Sequence, residues 1–239
     1  MVLVLVAVVA LATTVEAVTG FGATILALTL GAQVVPLPVL LPALVPLNIA
    51  LSAYLVLRHH DAVDRRELGR RILPLAALGL PLGFGLFVLA PGPWLLVSYG
   101  AFVVILALLR LVGALRPGEG PPPRRSPLWL VAGGVMQGLL ASGGPLVVLY
   151  TAGALPEKRR FRSTMSALWL VLNLALASAH LAHGTLDGPS LRLTLALVPA
   201  LVVGALIGEW LHARVSDRSF RIGVYALLGI AGAALISRA

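Results

Sequence analysis

The chain is dominated by long apolar runs separated by short basic segments, and few folds accommodate that pattern. The runs are Val2–Leu30, Leu37–Leu57, Ile72–Ala90, Trp94–Leu115, Leu128–Leu155, Ser163–Leu181, Leu191–Leu211 and Phe220–Ile236. Several approach or exceed the ~20 residues with which a helix crosses a bilayer. Of the 239 residues, 59% are hydrophobic and 11% charged, a balance far from that of a soluble domain. The ~10-residue alternating segments of a transmembrane barrel are absent from the sequence. The pattern therefore predicts an all-α, polytopic membrane protein. The first residues, M-V-L-V-L-V, carry no basic stretch ahead of the apolar run, so they read as a membrane segment and not as a cleaved signal.

Internal similarity divides the chain. The segment R-P-G-E-G-P-P-P-R-R-S-P at 116–127 is rich in Pro, Gly and Arg. We expect a first repeat over residues 1–116, a cytoplasmic linker over 117–127 and a second repeat over 128–239. T-G-F-G-A-T (19–24) aligns with L-A-S-G-G-P (140–145), which places Glu16 opposite Gln137 and Gly22 opposite Gly143. With four further residues in the second half, Asn48 aligns with Asn173, Gly79 with Gly204 and Gly83 with Gly208.

Charge placement selects the topology. The formal net charge is +9, from 18 Lys and Arg against 9 Asp and Glu, and the cations lie between apolar runs. If all eight runs were simple spans, eleven cations would fall on one side and seven on the other. If Val2–Leu30 and Leu128–Leu155 each enter and leave by one side, the count becomes sixteen against two, with only Arg192 and Arg238 outside. The positive-inside rule prefers the second arrangement. Length agrees, because a straight helix over Leu128–Leu155 would be ~42 Å long against a ~30 Å hydrocarbon core. Each repeat is then one re-entrant, broken hairpin followed by three spans. Three is odd, so the repeats are inverted, an architecture that recurs in transporters.

The breaks direct attention to a site. Gly20 and Gly22 in one half, and Gly143 and Gly144 in the other, permit turns and close approach. Free N–H groups at the start of each returning half-helix attract anions, and Thr19, Thr24 and Ser142 add hydroxyls. Close helix packing is the alternative role for the glycines. Asn48, Asn173 and Gln137 can donate to an oxyanion or simply bond between helices. Glu16 is the acid nearest a break, a position suited either to carrying a proton or to capping backbone N–H groups. Glu209, His212 and His180 lie near span ends, where solvation at the interface is expected. His59 and His60 fall in a basic loop with no set of metal ligands. No cysteine occurs, so neither disulfides nor thiolate sites arise. Ser142 lacks the glycine two residues earlier that a serine-nucleophile turn would need. With no metal triad or phosphate-binding loop in sequence, the chain reads as a non-enzyme without cofactor.

The stretch G-G-V-M-Q-G-L-L-A-S-G-G-P (133–145), followed by L-P-E-K-R-R-F-R-S-T-M-S and an Asn-bearing apolar run, resembles the sulfite exporter TauE/SafE family, also called the toluene sulfonate uptake permease family. Gly143 and Gly144 match its glycine run, Leu155–Pro156 the start of its loop, Ser166 its hydroxyl position and Asn173 its asparagine. In the first half Gly20 and Gly22 fit, while Ala23 and Thr24 stand where further glycines are usual. The resemblance implies a multi-pass permease of the inner membrane for a small anion such as sulfite, thiosulfate or sulfoacetate, with basic loops cytoplasmic. An anion channel, or a permease for a non-sulfur organic anion, is the alternative. A coupling proton or other ion and assembly as a homo-oligomer are compatible with the sequence, and nucleic acid is not an expected partner.

Overall fold

The computed structural model describes residues 2–89 and 126–214, with residues 101, 104, 105 and 108 besides. The expected span at Phe220–Ile236, all but four residues of the one at Trp94–Leu115, and nearly all of the linker lie outside the described residues. Among the described residues every element is helical. We number them α1 (Val2–Thr19), α2 (Ala23–Gly31), α3 (Leu37–His59), α4 (Arg65–Leu89), α5 (Leu128–Leu140), α6 (Gly144–Ala154), α7 (Lys158–Ala182) and α8 (Gly188–His212). Four helices, α3, α4, α7 and α8, are long and apolar enough to cross a membrane. A π-helical turn at Leu68–Ile72 lies inside α4. Asp64 caps the start of α4 by accepting the Glu67 N–H at 2.9 Å. Asp187 does the same for α8 through the Ser190 N–H at 2.9 Å, and that bond holds its carboxyl below the usual carboxylate range.

The first apolar run is a hairpin. Gly20 and Gly22 take φ of +84° and +102°, values that L side chains resist, and the chain reverses there. The far ends of the two arms meet, because a Cβ on Gly31 would lie 3.1 Å from Leu5. The second run also reverses, by different means. Its left-handed residue is Ala141 at φ 49°, while Gly143 is right-handed at φ −68°. The turning role expected of Gly143 and Gly144 is thus taken by Ala141. The two glycines permit close approach instead. Gly143 lies directly against the Gly133 carbonyl, and a Cβ on Gly144 would meet Phe21 at 3.1 Å. The tips of the two hairpins therefore touch.

Helix directions support the same conclusion independently. Gly204 of α8 packs against Ala10 and Thr13 of α1, and Gly208 against Thr14 and Ala17, so α1 and α8 run parallel. Thr194 of α8 donates to the Ala43 carbonyl, and Glu209 of α8 meets His59, so α3 also runs parallel to α8. Helices α1 and α3 therefore point the same way, which requires α1–α2 to double back. At the second hairpin Gly79 of α4 packs against Val131 and Val135 of α5, and Gly83 against Val135 and Leu139, again parallel. Helix α7 is antiparallel to α3, joined by Asn48–Asn173 in the middle and Asp61–Arg159 at one end. The α5–α6 hairpin thus opens at the end opposite to that of α1–α2. Each hairpin is held by a helix of the other half, through glycines that the alignment pairs.

Lipid accounts for the outer faces. Leu78, Leu82 and Leu86 of α4, and Leu195, Val202 and Leu206 of α8, project outward and are exposed. Of the described cations, Arg58, Arg65, Arg66, Arg70, Arg71, Lys158, Arg159, Arg160, Arg162 and Arg214 gather at the end where α3 and α8 finish and α7 begins, and Arg192 lies at the other.

Single cysteines at Ala32 and His183 should react with an impermeant maleimide from one side of the membrane, and those at His60 and Glu157 from the other. Labelling of Ala32 together with His60 would refute the hairpin. Gly83→Ala should destabilise the protein by roughly 1–3 kcal/mol, since a Cβ there collides with the α5 backbone. Gly85→Ala, two residues along and open on every side, should be tolerated; equal thermal melts for the two variants would contradict the packing.

Candidate functional site

Both breaks expose main-chain groups deep in the protein, where only other protein groups can satisfy them. At the first break, Glu16 Oε2 accepts the Ala23 N–H at 3.0 Å, reaching from the last turns of α1 to the first residue of α2. At the second, Gln137 Oε1 accepts the Gly143 N–H at 3.1 Å in the same manner. The acid and the amide that the alignment pairs thus do the same local work, each capping the start of its return helix.

The two caps are wired together. Gln137 Nε2 donates to Asn173 Oδ1 at 2.8 Å, and Asn173 Nδ2 to Asn48 Oδ1 at 3.0 Å. Asn48 Nδ2 then lies 3.3 Å from Glu16 Oε2 and 3.0 Å from Thr24 Oγ1. Ser52 also donates to Asn48 Oδ1, at 3.3 Å. Starting from the Gly143 N–H, every amide accepts on its oxygen and donates from its nitrogen, and the chain of bonds ends on the Glu16 carboxylate. Such a series polarises along its length in a low dielectric. It also ties α1, α3, α5 and α7 together at the line where the halves meet. All four polar residues are buried, Glu16 at 3% and Asn173 at 1% exposure. The carboxylate is satisfied on one oxygen only, for Glu16 Oε1 has no hydrogen-bond partner.

A small cavity lies beside this chain. It is lined by Glu16, Gly22, Thr24, Ile25, Asn48, Gln137, Ala141, Ser142, Gly144, Trp169 and Asn173. About 10 Å³ of it is open to the centre of a water-sized sphere, roughly room for one water. The return helices α2 and α6 both start here, so two partially positive helix ends converge on it. In α2 the Ala23 N–H goes to Glu16 and the Leu26 N–H to Gly22 O, which leaves those of Thr24 and Ile25 without an intrahelical acceptor.

Eight of the twelve residues singled out from sequence line this cavity: Glu16, Gly22, Thr24, Asn48, Gln137, Ser142, Gly144 and Asn173. The other four stand back. Thr19 Oγ1 lies 2.7 Å from the Val15 and Phe21 carbonyls and braces the turn. Gly20 supports the backbone of α7, its missing Cβ only 2.9 Å from Arg162 Cα. Gly143 contributes its N–H to Gln137. Ser166 donates to the Arg162 carbonyl at 3.0 Å. Ser142 likewise donates to a carbonyl, that of Leu140, at 2.8 Å.

Sequence reasoning missed three contributors. Trp169, an apolar-run residue by pattern, lines the cavity and donates its indole N–H to Gly20 O at 2.8 Å. Arg162 reads from charge placement as a loop cation, yet its side chain is 3% exposed, with Nη1 donating to Ala17 O and Glu209 Oε1. Glu209 is held at the same time by His59 at 3.1 Å and Arg58 at 3.8 Å, so it is not an interfacial acid left to solvent. The helical spacing 162–166–169–173 places Arg162 and Trp169 on one face of α7 and was the available signal for those two. His180 is fully buried, edge-on to Phe84 and Phe87, where solvation at a span end had been expected. Among the described residues no cluster of His, Cys, Asp or Glu is arranged to hold a metal ion.

No curated protein and no solved structure matches this chain. The pattern of one family, described as sulfite exporter TauE/SafE, matches residues 5–235, nearly the full length. On that match, and with its apolar spanning helices, the chain is an integral membrane protein that belongs to the sulfite exporter TauE/SafE family of transporters.

Proposed function

We propose that the protein is a secondary permease for a small sulfur oxyanion, bound between the two hairpin tips and carried by alternating access. The observation that carries this reading is the convergence of two return-helix N-termini and a chain of amide donors on one buried cavity. No ATP-binding motif occurs in the sequence, so an ion gradient or the gradient of the substrate itself supplies the work. The two repeats, 1–116 and 128–239, are the moving parts, and the basic loops face the cytoplasm of an inner-membrane protein. The tightness of the cavity fits a state closed around the site, which opens when one hairpin shifts against the other half.

Glu16 sets the coupling. An anion in the cavity would lie beside its carboxylate, and two like charges ~4 Å apart repel by about 4 kcal/mol at an effective dielectric of 20. A proton on Glu16 removes that repulsion and turns the partnerless Oε1 into a donor aimed at the ligand. Substrate and proton therefore travel together. The second half needs no counterpart, because Gln137 is neutral and its donor is already in use.

Two measurements test this reading. In a thermal-shift screen of purified protein, sulfite or thiosulfate should raise the melting temperature more than matched concentrations of chloride or small carboxylates, since a ligand bound only by the folded state stabilises it. If no sulfur oxyanion shifts the melt, the substrate class is wrong. In proteoliposomes, Glu16→Gln should keep anion counterflow but lose acceleration by an imposed pH gradient, because the amide keeps the cap to Ala23 and offers a permanent donor. Undiminished pH-gradient drive in that variant would exclude Glu16 as the proton carrier.

A further inference from the structure

The two halves differ most along the route from the cavity to the basic end of the protein. On α7 the residues Arg162, Ser166, Trp169 and Asn173 share one face and run from that end to the centre of the molecule. The alignment that pairs Asn173 with Asn48 pairs Arg162, Ser166 and Trp169 with Leu37, Leu41 and Leu44. The same alignment pairs Glu209 with Phe84. An ion pair of buried Arg162 with partly buried Glu209 therefore stands at positions that are apolar in the other half.

The pair is built so that it can exchange. Arg162 uses Nη1 for both Ala17 O, at 2.8 Å, and Glu209 Oε1, at 2.6 Å. Its Nε is buried with no hydrogen-bond partner. A buried guanidinium N–H left unmade is costly, and the edge that carries it is the one that grips a planar or pyramidal oxyanion with two parallel bonds. Glu209, for its part, has two partners besides Arg162: the Arg58 guanidinium at 3.8 Å and the His59 ring at 3.1 Å. Were Arg162 to turn to another anion, Glu209 would keep partners. Neither side of the exchange is stranded, which is the condition for two arrangements of similar energy.

Resting on the permease reading above, we propose that Arg162 is a second anion station, which receives the sulfur oxyanion between the central cavity and the basic face in exchange for Glu209. Trp169 stands between the two stations, touching the cavity and fixed to Gly20 O, three residues after Ser166 on the same face. The anion taken up by Arg162 replaces the Glu209 carboxylate on the guanidinium while Glu209 passes to Arg58 and His59, so Arg162 keeps an anionic partner throughout the step. Release to the basic side follows when Glu209 returns to Arg162.

The test is initial-rate transport of sulfite and thiosulfate by the full chain in proteoliposomes, with thermal melts of each variant. Arg162→Lys keeps the charge and loses the two-bond edge, and should raise KM about tenfold while kcat changes less, as expected from loss of one charge-assisted hydrogen bond. Glu209→Gln frees Arg162 from its competitor and should lower KM, with faster leak of sulfite from loaded vesicles. Opposite movement of KM in the two variants is the signature of exchange. A merely structural ion pair would damage both variants alike, lowering their melts with KM unmoved, and that result overturns the station. If Arg162→Lys does not fold, an unchanged or raised KM in Glu209→Gln overturns it alone. Wild-type protein that moves neither oxyanion would instead sink the permease reading, a failure that the variants do not enter.

Discussion

A helix that breaks inside a membrane leaves polar main-chain groups where water cannot reach them, and protein must satisfy each one. Two such breaks occur here, and most of the central architecture answers them. Glu16 and Gln137 reach across their own turns to cap the return helices at Ala23 and Gly143. Asn173 and Asn48 then link the caps, so that satisfying one break helps to hold the other in place. Interhelical bonds of this type contribute roughly 0.6–2 kcal/mol each. They also fix which helices may lie together at the centre, since an unmatched amide there would be costly.

Close packing supplies the rest of the frame. Hydrocarbon offers no hydrophobic drive between spans, so association depends on surfaces that fit. Gly79 and Gly83 let α4 lie on the α5 backbone, and Gly204 and Gly208 let α8 lie on α1. Each hairpin is clamped by a helix of the other half, α1 by α8 and α5 by α4. A rigid clamp around a hairpin whose tip holds the cavity is suited to a rocking motion of one half about the other. The proposed function rests on the departures from symmetry: an acid where the partner half has an amide, and an ion pair where it has leucine and phenylalanine.

Much of this was readable from residue order. The hairpins followed from charge counting and run length, and the cavity lining from paired Gly, Asn, Glu and Gln. What the eye missed was Arg162, because a cation five residues into a run of loop cations obeys the positive-inside rule whether it faces solvent or the interior. The role of the second glycine pair was misread for a related reason. Gly143 and Gly144 advertise a turn, yet the strained residue is Ala141, held at φ 49° by bonds from the Ala141 N–H to Gln137 O and the Ser142 N–H to Met136 O. Burial that relieves strain through neighbours leaves no trace in composition.

By itself, the sequence determined the solvent this protein folds in, the number of apolar runs, the two points at which a helix cannot continue, and the side on which its cations collect. These follow from local chemistry: hydrophobicity, chain length and the cost of burying charge. Tertiary structure alone decided which polar groups meet. Asn48 lies 125 residues from Asn173, and Ala17 lies 145 from Arg162. Bonds over such separations depend on how α1, α3, α7 and α8 pack. That packing is set by where glycine lets two backbones touch, a property of paired surfaces that no single stretch of chain contains.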